Sequence, residues 1–402
     1  MIIRRIAVLA VTALGVVALG SASSYAQKKY GQGVTDTEIL MGQTVPYTGP
    51  LAPAGINNGG AAVAAVKLLN DRGGVNGRKL RFLSLDDGYL PPKTLELTRK
   101  MVEQDRIAFI YGSLGTGPNS AIAPYLTERK MPNIMFQAGT DKFYTSEFPI
   151  MVPYLTRYGY MAQVFGKWIL AEKPDAKIAF LYQNDDFGTN FIDGLKATLG
   201  PKASNIVKTV SFEVRDPSVD SQVISLAETK ADILFLASVP GRPVSQAIRK
   251  AADLGWKPTF IIPLTTNDPQ TVLQPAGLEN AVGAISSAML KDPNDPDVQN
   301  DADVKDWHAW MDAYAPQADK RNLGWRYEYA KIWMLKSILE RAGDDLTQEN
   351  ILKMATTMPK AAYPLFIPGV TVEGTPEFKT QQVIRFDGKR WVGIGSTITA
   401  GQ

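Results

Sequence analysis

Ser113 and Thr116 lie in "IAFIYGSLGTGPNS" (residues 107–120), directly behind an apolar run and among Gly112, Gly115 and Gly117. Hydroxyls interleaved with glycines suit non-covalent capture. The glycines let backbone N–H groups approach a ligand, and the hydroxyls donate or accept beside them. These amides also precede a helix expected from about Pro118, and a helix N-terminus carries partial positive charge. A carboxylate seated there would collect several hydrogen bonds without a full counter-charge. An ordinary strand-to-helix turn would use the same residue types. The device recurs, however, because "FQAGTDKFY" (136–144) follows its own apolar run with Gly139 and Thr140. Two such turns on neighbouring strands favour a ligand seat.

Other chemistries fail on inventory. The chain has no cysteine and one histidine, His308, set between Trp307 and Trp310 in a helical stretch. That excludes thiol catalysis and the common zinc sites, and a packed or half-exposed histidine is the plainer reading of His308. No GxSxG elbow, GxxxxGK[ST] loop or well-placed GxGxxG occurs. Asp86–Asp87 and Asp185–Asp186 stand at strand ends and have the composition of an acid–base pair. Carboxylates in that position more often cap helices or accept from loop amides. No cofactor, metal or catalytic residue is expected.

These turns must be held by something, and the chain around them alternates strand-like and helix-like runs. "EILMGQT" (38–44), "RKLRFLSLDD" (78–87), "IAFIYG" (107–112) and "PNIMFQA" (132–138) read as strands. Helices over 57–74, 92–105 and from about 118 lie between them, the last short or bent because Pro124 falls inside it. The pattern restarts with strands over 177–183, 205–213, 231–238 and 258–264 and helices over 187–200, 220–230 and 243–256. Two successive β-α-β-α-β sets imply two parallel sheets, each covered by helices. Helices over 304–315 and 325–343 and a β-like tail over 381–394 follow. The fold class is α/β, with two doubly wound lobes and a ligand cleft between their strand-end loops.

The N-terminus "MIIRRIAVLAVTALGVVALGSASSYAQ" has Arg4 and Arg5, an apolar run and small residues at Ser24 and Ala26. It reads as a secretory signal peptide over residues 1–26, too short in its apolar part for the roughly 20 residues of a spanning helix. Its removal lowers Lys plus Arg from 43 to 41 against 40 acidic residues. Nothing in that balance resembles a nucleic-acid surface. A periplasmic location, no stable membrane insertion and a monomer are expected.

The chain resembles the periplasmic solute-binding proteins of ABC importers, of the branched-chain amino acid (leucine/isoleucine/valine-binding) type. The marks are "GQTVPYTGPLAPAG" (42–55), "KLLNDRGGVNGRKLRFLSLDD" (67–87), "YGSLGTGPNSAIAPYL" (111–126), "LYQNDDFGTNFIDGLK" (181–196), "AIRKAADLGWKP" (247–258) and "YEYAKIWMLKSILERAG" (327–343). The resemblance implies the type I periplasmic-binding-protein fold with a multi-strand hinge. One lobe would hold residues 27–155 with about 287–380, the other 156–286 with about 381–402. It implies hinge closure over a small solute and delivery to a membrane permease. Ser113 and Thr116 match positions that hold a solute carboxylate, and Ala138 and Thr140, flanking Gly139, match its backbone and hydroxyl partners. Tyr47 lies in a loop facing the cleft, and Phe187 of "DDFG" matches an aromatic pocket position. A hydrophobic staple at a helix start is the alternative for Phe187.

The departures concern the α-ammonium. Amino-acid binders of this family hold it with second-lobe acids, and the matching places here are Leu264 and Tyr158. A buried ammonium without a carboxylate costs several kcal/mol. The expected solute is therefore a carboxylate without an α-ammonium, an aromatic acid such as a benzoate or phenylpropanoid, in a pocket of Tyr47, Tyr158, Phe187 and Leu264. Asp186 and Glu328 are the acids that would restore an amino-acid ligand. A sensory ligand-binding domain shares the fold and needs a receptor in place of the permease. An exported enzyme is disfavoured by the histidine and cysteine counts. A sugar-responsive repressor would need an N-terminal helix-turn-helix where this chain has a signal peptide.

Overall fold

The computed structural model describes residues 28–401, and the signal-peptide segment lies outside them. Five strands form the first sheet: β1 (Glu38–Val45), β2 (Lys79–Asp86), β3 (Phe109–Tyr111), β4 (Asn133–Phe136) and β5 (Met151–Pro153). They lie in the order β2-β1-β3-β4-β5 and all pair in parallel. The second sheet begins with β6 (Ile178–Gln183), β7 (Ile206–Phe212), β8 (Ile233–Ala237), β9 (Thr259–Ile261) and β10 (Ile285–Ala288). Their order, β7-β6-β8-β9-β10, repeats that of the first sheet strand for strand. Every residue of β3, β4 and β8 is buried, as expected of parallel strands covered on both faces.

The helices needed for those crossovers are present, with two instructive differences at their ends. Helix α1 (Ala52–Asp71) starts earlier than Asn57 because Pro53 sits in its first turn, where proline has no hydrogen bond to lose and its φ is already helical. Helix α2 spans Pro91–Glu103. Helix α3 (Thr116–Arg129) runs unbroken through Pro124, where a short or bent helix is expected from sequence. Tertiary burial of Ile122, Ala123, Tyr125 and Leu126 around that proline compensates for the missing bond. In the second half α4 (Tyr158–Glu172), α5 (Asp186–Leu199), α6 (Asp220–Ala227) and α7 (Gly241–Asp253) play the same parts.

After β10 the chain leaves the second sheet. Helices α8 (Ala302–Tyr314) and α9 (Leu323–Ala342) pack against α1. There Trp310 meets Trp325 and Tyr329 at ring distances of 5.7 and 5.2 Å. The chain then returns as β11 (Thr380–Phe386), antiparallel to β10, and β12 (Trp391–Gly393), antiparallel to β11. The tail read as one β-like run is thus a hairpin, turned at Asp387–Arg390.

One ion pair lies wholly inside the first half. Glu328 and Lys331, both on α9, are fully buried and in contact with each other. Tyr111 donates to Glu328 at 3.3 Å, and so does Gln137 through Nε2. Burial pushes the Glu328 carboxyl up and the Lys331 ammonium down, and each partner opposes the other's shift. Removing one member leaves the other desolvated and alone. Lys331→Met is expected to cost about 3–5 kcal/mol, and Glu328→Gln/Lys331→Met much less; urea unfolding measures both.

The paired carboxylates serve the loops. Asp86 accepts from the amides of Thr48 and Gly88, and Asp87 from Tyr89 N–H at 2.8 Å and Thr94 Oγ1 at 3.0 Å. Asp185 accepts from Phe187 N–H at the start of α5. Burial raises the Asp87 carboxyl above its ordinary range against the pull of those two bonds. A raised carboxyl keeps its proton longer folded than unfolded, so its contribution to stability falls as pH rises from the ordinary carboxyl range through the folded value. Asp87→Asn can keep both bonds, since Thr94 Oγ1 also donates to Leu90 O and can accept. The variant is expected to melt higher than wild type at pH 7, with the difference shrinking toward pH 4, in circular dichroism melts at both.

Candidate functional site

The repeated strand order puts a topological switch point in each sheet, between β1 and β3 and between β6 and β8. Ligands of doubly wound sheets bind outside the strand ends at such points. A cavity of about 350 Å³ lies there, between the halves. Its first-half wall comes from Pro50, Leu51 and Ala54 after β1, Leu114 and Gly115 after β3, and Gln137 after β4. Its second-half wall comes from Val239 to Arg242 after β8, then Ser245 and Arg249 along α7, and Thr265, Thr266, Asp268, Thr271 and Val272 after β9. Asn322, Leu323 and Tyr327 at the start of α9 close one end.

Of the nine residues singled out from sequence, Tyr158 lines this cavity. It is 1 % exposed. Its backbone N–H donates to Gly139 O at 2.8 Å, and its hydroxyl pairs with Thr116 Oγ1 at 3.0 Å. Phe187 stands behind it, edge-on at 4.6 Å between ring centres. Gly139 has no room for a side chain, because a Cβ would come within 2.2 Å of Thr156 O.

The remaining residues lie one step away from the cavity. Ser113 is fully buried, and its Oγ accepts from Thr44 N–H at 3.1 Å. Ala138 is buried in the cluster of Phe136 and Phe143. Thr140 donates through Oγ1 to Asn190 Oδ1 at 2.8 Å. Leu264 is buried, and its carbonyl accepts from Tyr327 at 3.3 Å. Tyr47 pairs with Ser84 Oγ at 2.6 Å. The amides expected to be free are also engaged: Gly112 N–H donates to Ile134 O and Gly115 N–H to Gln137 O, both at 3.0 Å. The turn after β3 prolongs the sheet ladder, so Leu114 and Gly115 face the cavity where Ser113 and Thr116 were expected to.

Sequence reasoning missed the second-half wall. The signal was present, since "ILFLASVPGR" (233–242) ends an apolar run in Ser238 and Gly241 as the run before Ser113 does. It missed Asp268 too, four positions beyond Leu264. Asp268 is 6 % exposed. Its Oδ1 accepts from Gln270 N–H, Thr271 N–H and Thr271 Oγ1, and its Oδ2 from Leu323 N–H at 3.1 Å. Neither acid named from sequence lines the cavity: Asp186 pairs with Lys142 at 2.6 Å and Glu328 with Lys331. Arg242 and Arg249, at the cavity mouth, form no ion pair among the described residues.

The family model described as periplasmic binding protein matches residues 38–381. The chain belongs to the periplasmic binding protein family. A Leu/Ile/Val-binding protein homolog 1 from Brucella abortus (strain 2308) is 25% identical over 317 residues, covering 78% of this chain and 81% of the relative. Among solved structures, a branched chain amino acid ABC transporter protein from Thermus thermophilus with bound valine superposes with a TM-score of 0.80. It is 17% identical, over 92% of this chain and 98% of that one. A solute binding protein of an ABC transporter from R. palustris, in complex with benzoate, gives 0.75 at 19% identity, over 90% and 97% of the two chains. The type I periplasmic-binding fold accounts for the two sheets, the cleft and the crossing strands.

In this periplasmic binding protein the halves already touch beside the cleft. Thr140 Oγ1 and Asp141 N–H both donate to Asn190 of α5, and Lys142 reaches Asp186. Loss of these bonds frees the turn after β4 from α5. Two hydrogen bonds, one part-buried and one exposed, and one half-exposed ion pair together are worth about 1–2 kcal/mol. Asn190→Ala/Asp186→Ala is expected to raise the radius of gyration of the ligand-free protein in small-angle X-ray scattering, with the melting temperature little changed.

Proposed function

We propose that the protein is the extracytoplasmic solute-binding component of an ABC importer, and that it captures a small aromatic carboxylate lacking an α-ammonium. The cavity carries this reading. Its walls are mostly apolar or aromatic, and Asp268 is the one carboxylate among the described lining residues. Four donors already bond to Asp268, leaving little for an ammonium, whereas Arg242 and Arg249 offer unpaired positive charge to a carboxylate. Tyr158, backed by Thr116 and Phe187, supplies an aromatic face. The turn at 113–116 gives Leu114 and Gly115 to the first-half wall and the turn at 138–140 stands behind it, so neither is the anion seat itself. The bound benzoate of the R. palustris protein agrees with the same solute class.

The mechanism is hinge closure. The lobes, 27–155 with about 287–380 and 156–286 with about 381–402, shut over the solute, which shifts the population toward the closed state by bridging both walls. The closed monomer then presents its two faces to a membrane permease. No helix of the described residues is long and apolar enough to cross a membrane, and delivery after export through the inner membrane fits a periplasmic product. Membership of the periplasmic binding protein family supports binding without reaction.

An amino-acid ligand is the second reading. It is favoured by the bound valine of the Thermus thermophilus protein and by Asp268 Oδ2, which has a single donor. Isothermal titration with benzoate and with leucine separates the two. Benzoate is expected to bind, and Arg242→Gln/Arg249→Gln to weaken it by roughly tenfold or more, as for loss of a charge-assisted hydrogen bond. Tight leucine binding that Asp268→Asn removes would replace the first reading with the second; asparagine still caps the turn.

A further inference from the structure

A second cavity, of about 220 Å³, lies behind the cleft at the hinge. Leu323 and Tyr327 line both cavities and form the partition. One wall of the hinge cavity belongs to the second sheet, with Ala288 of β10, Ile384 of β11 and Trp391 of β12. The opposite wall is α9, which packs on the first half. The space is therefore bounded by both halves, where the chain leaves the second sheet and returns to it.

Two of its lining groups have unspent polar atoms. Asn267 is 3 % exposed and its Oδ1 has no partner. The orientation of that amide is fixed, because its Nδ2 faces Ser286 Oγ at 2.8 Å and Ser287 O at 3.4 Å, and a carbonyl only accepts. Trp391 Nε1 donates to Asn267 O at 2.7 Å and holds the backbone in place. Arg326 is 5 % exposed and its Nε has no partner. Its Nη2 donates to Arg321 O at 3.3 Å, and its Nη1 forms a long ion pair with Asp292 at 3.7 Å. A buried acceptor and a buried guanidinium nitrogen without partners are both costly unless a ligand meets them; the carboxylates that line the cavity, Asp292, Asp295 and Asp301, are already paired with Arg326, Arg390 and Lys291.

We infer that this hinge cavity is a second ligand site, taking a small aromatic carboxylate that also carries a hydroxyl group. The carboxylate meets Arg326, the hydroxyl donates to Asn267 Oδ1, and the ring lies between Trp391 and Tyr327. The cavity is below the roughly 300–1,000 Å³ of drug-sized pockets, so the occupant is limited to about one ring. Because the walls come from both halves, occupancy favours one hinge angle and couples to closure of the main cleft.

The test uses 4-hydroxybenzoate with the mature protein. A crystal structure of the complex is expected to show the ring between Trp391 and Tyr327, its carboxylate on Arg326. Titration is expected to give two equivalents. Ala288→Met, which fills the hinge cavity and leaves every charge in place, should remove one of them, and so should Arg326→Met. Ala54→Trp, which obstructs only the main cleft, should remove the other. If Ala288→Met and Arg326→Met leave the stoichiometry unchanged, or if the crystals show only ordered water beside Arg326 and Asn267, the hinge site does not exist. An equivalent lost in Ala288→Met but none in Ala54→Trp would instead sustain the hinge site and remove the cleft reading.

Discussion

Parallel strands buried on both faces can offer their backbone to a ligand only at their ends. That constraint organises this molecule. Every residue of β3, β4 and β8 is buried, so nothing along their length is available for recognition. Recognition must come from the loops beyond the carboxyl ends, and two sheets with the same strand order present equivalent loops. Facing those loops toward each other makes one cleft from two switch points. Once the halves are arranged so, α8 and α9 have to cross back to the first half and β11 to the second. The hinge therefore follows from the cleft.

The polar interior serves the same end. Glu328 and Lys331 neutralise each other deep in the first half, and Gln137 connects that pair to the cleft by donating to both Glu328 and Asn58. Asp87 and Asp185 spend their charges on loop and helix amides. Carboxylates that suggest acid–base chemistry by their spacing are thus structural, each holding a strand-end turn in one conformation. Under the proposed hinge closure, rigid turns let binding energy go into bringing the lobes together instead of into ordering the walls.

The division between the two cavities has a simple origin. Helix α9 begins between them, with Leu323 and Tyr327 presented to both sides and Asn322 capping the helix by accepting from Gly324 N–H at 2.9 Å. Asp268 also binds the first amides of this helix through Leu323. One helix start thus closes the cleft, walls the hinge cavity and ties the second half to the first.

Residue type and spacing alone carry the fold class, the doubled α/β pattern and the lack of any cysteine thiol. These depend on residue type and period, which are local quantities. Tyr158 lines the cleft cavity, and the strand-end glycines sit at tight turns, since a Cβ at Gly115 would enter the ring of Tyr89. Tertiary structure alone decided which residue of each loop looks outward. Gly112 and Gly115 take φ of 69° and 107°, and those rotations turn Ser113 inward to Thr44 while Leu114 faces the cavity. Side-chain direction within a turn depends on such dihedrals and on the ladder bonds that fix them, neither of which is written in residue type. The hinge cavity joins residues as far apart as Asn267 and Gly393, so only the packed chain could bring them together.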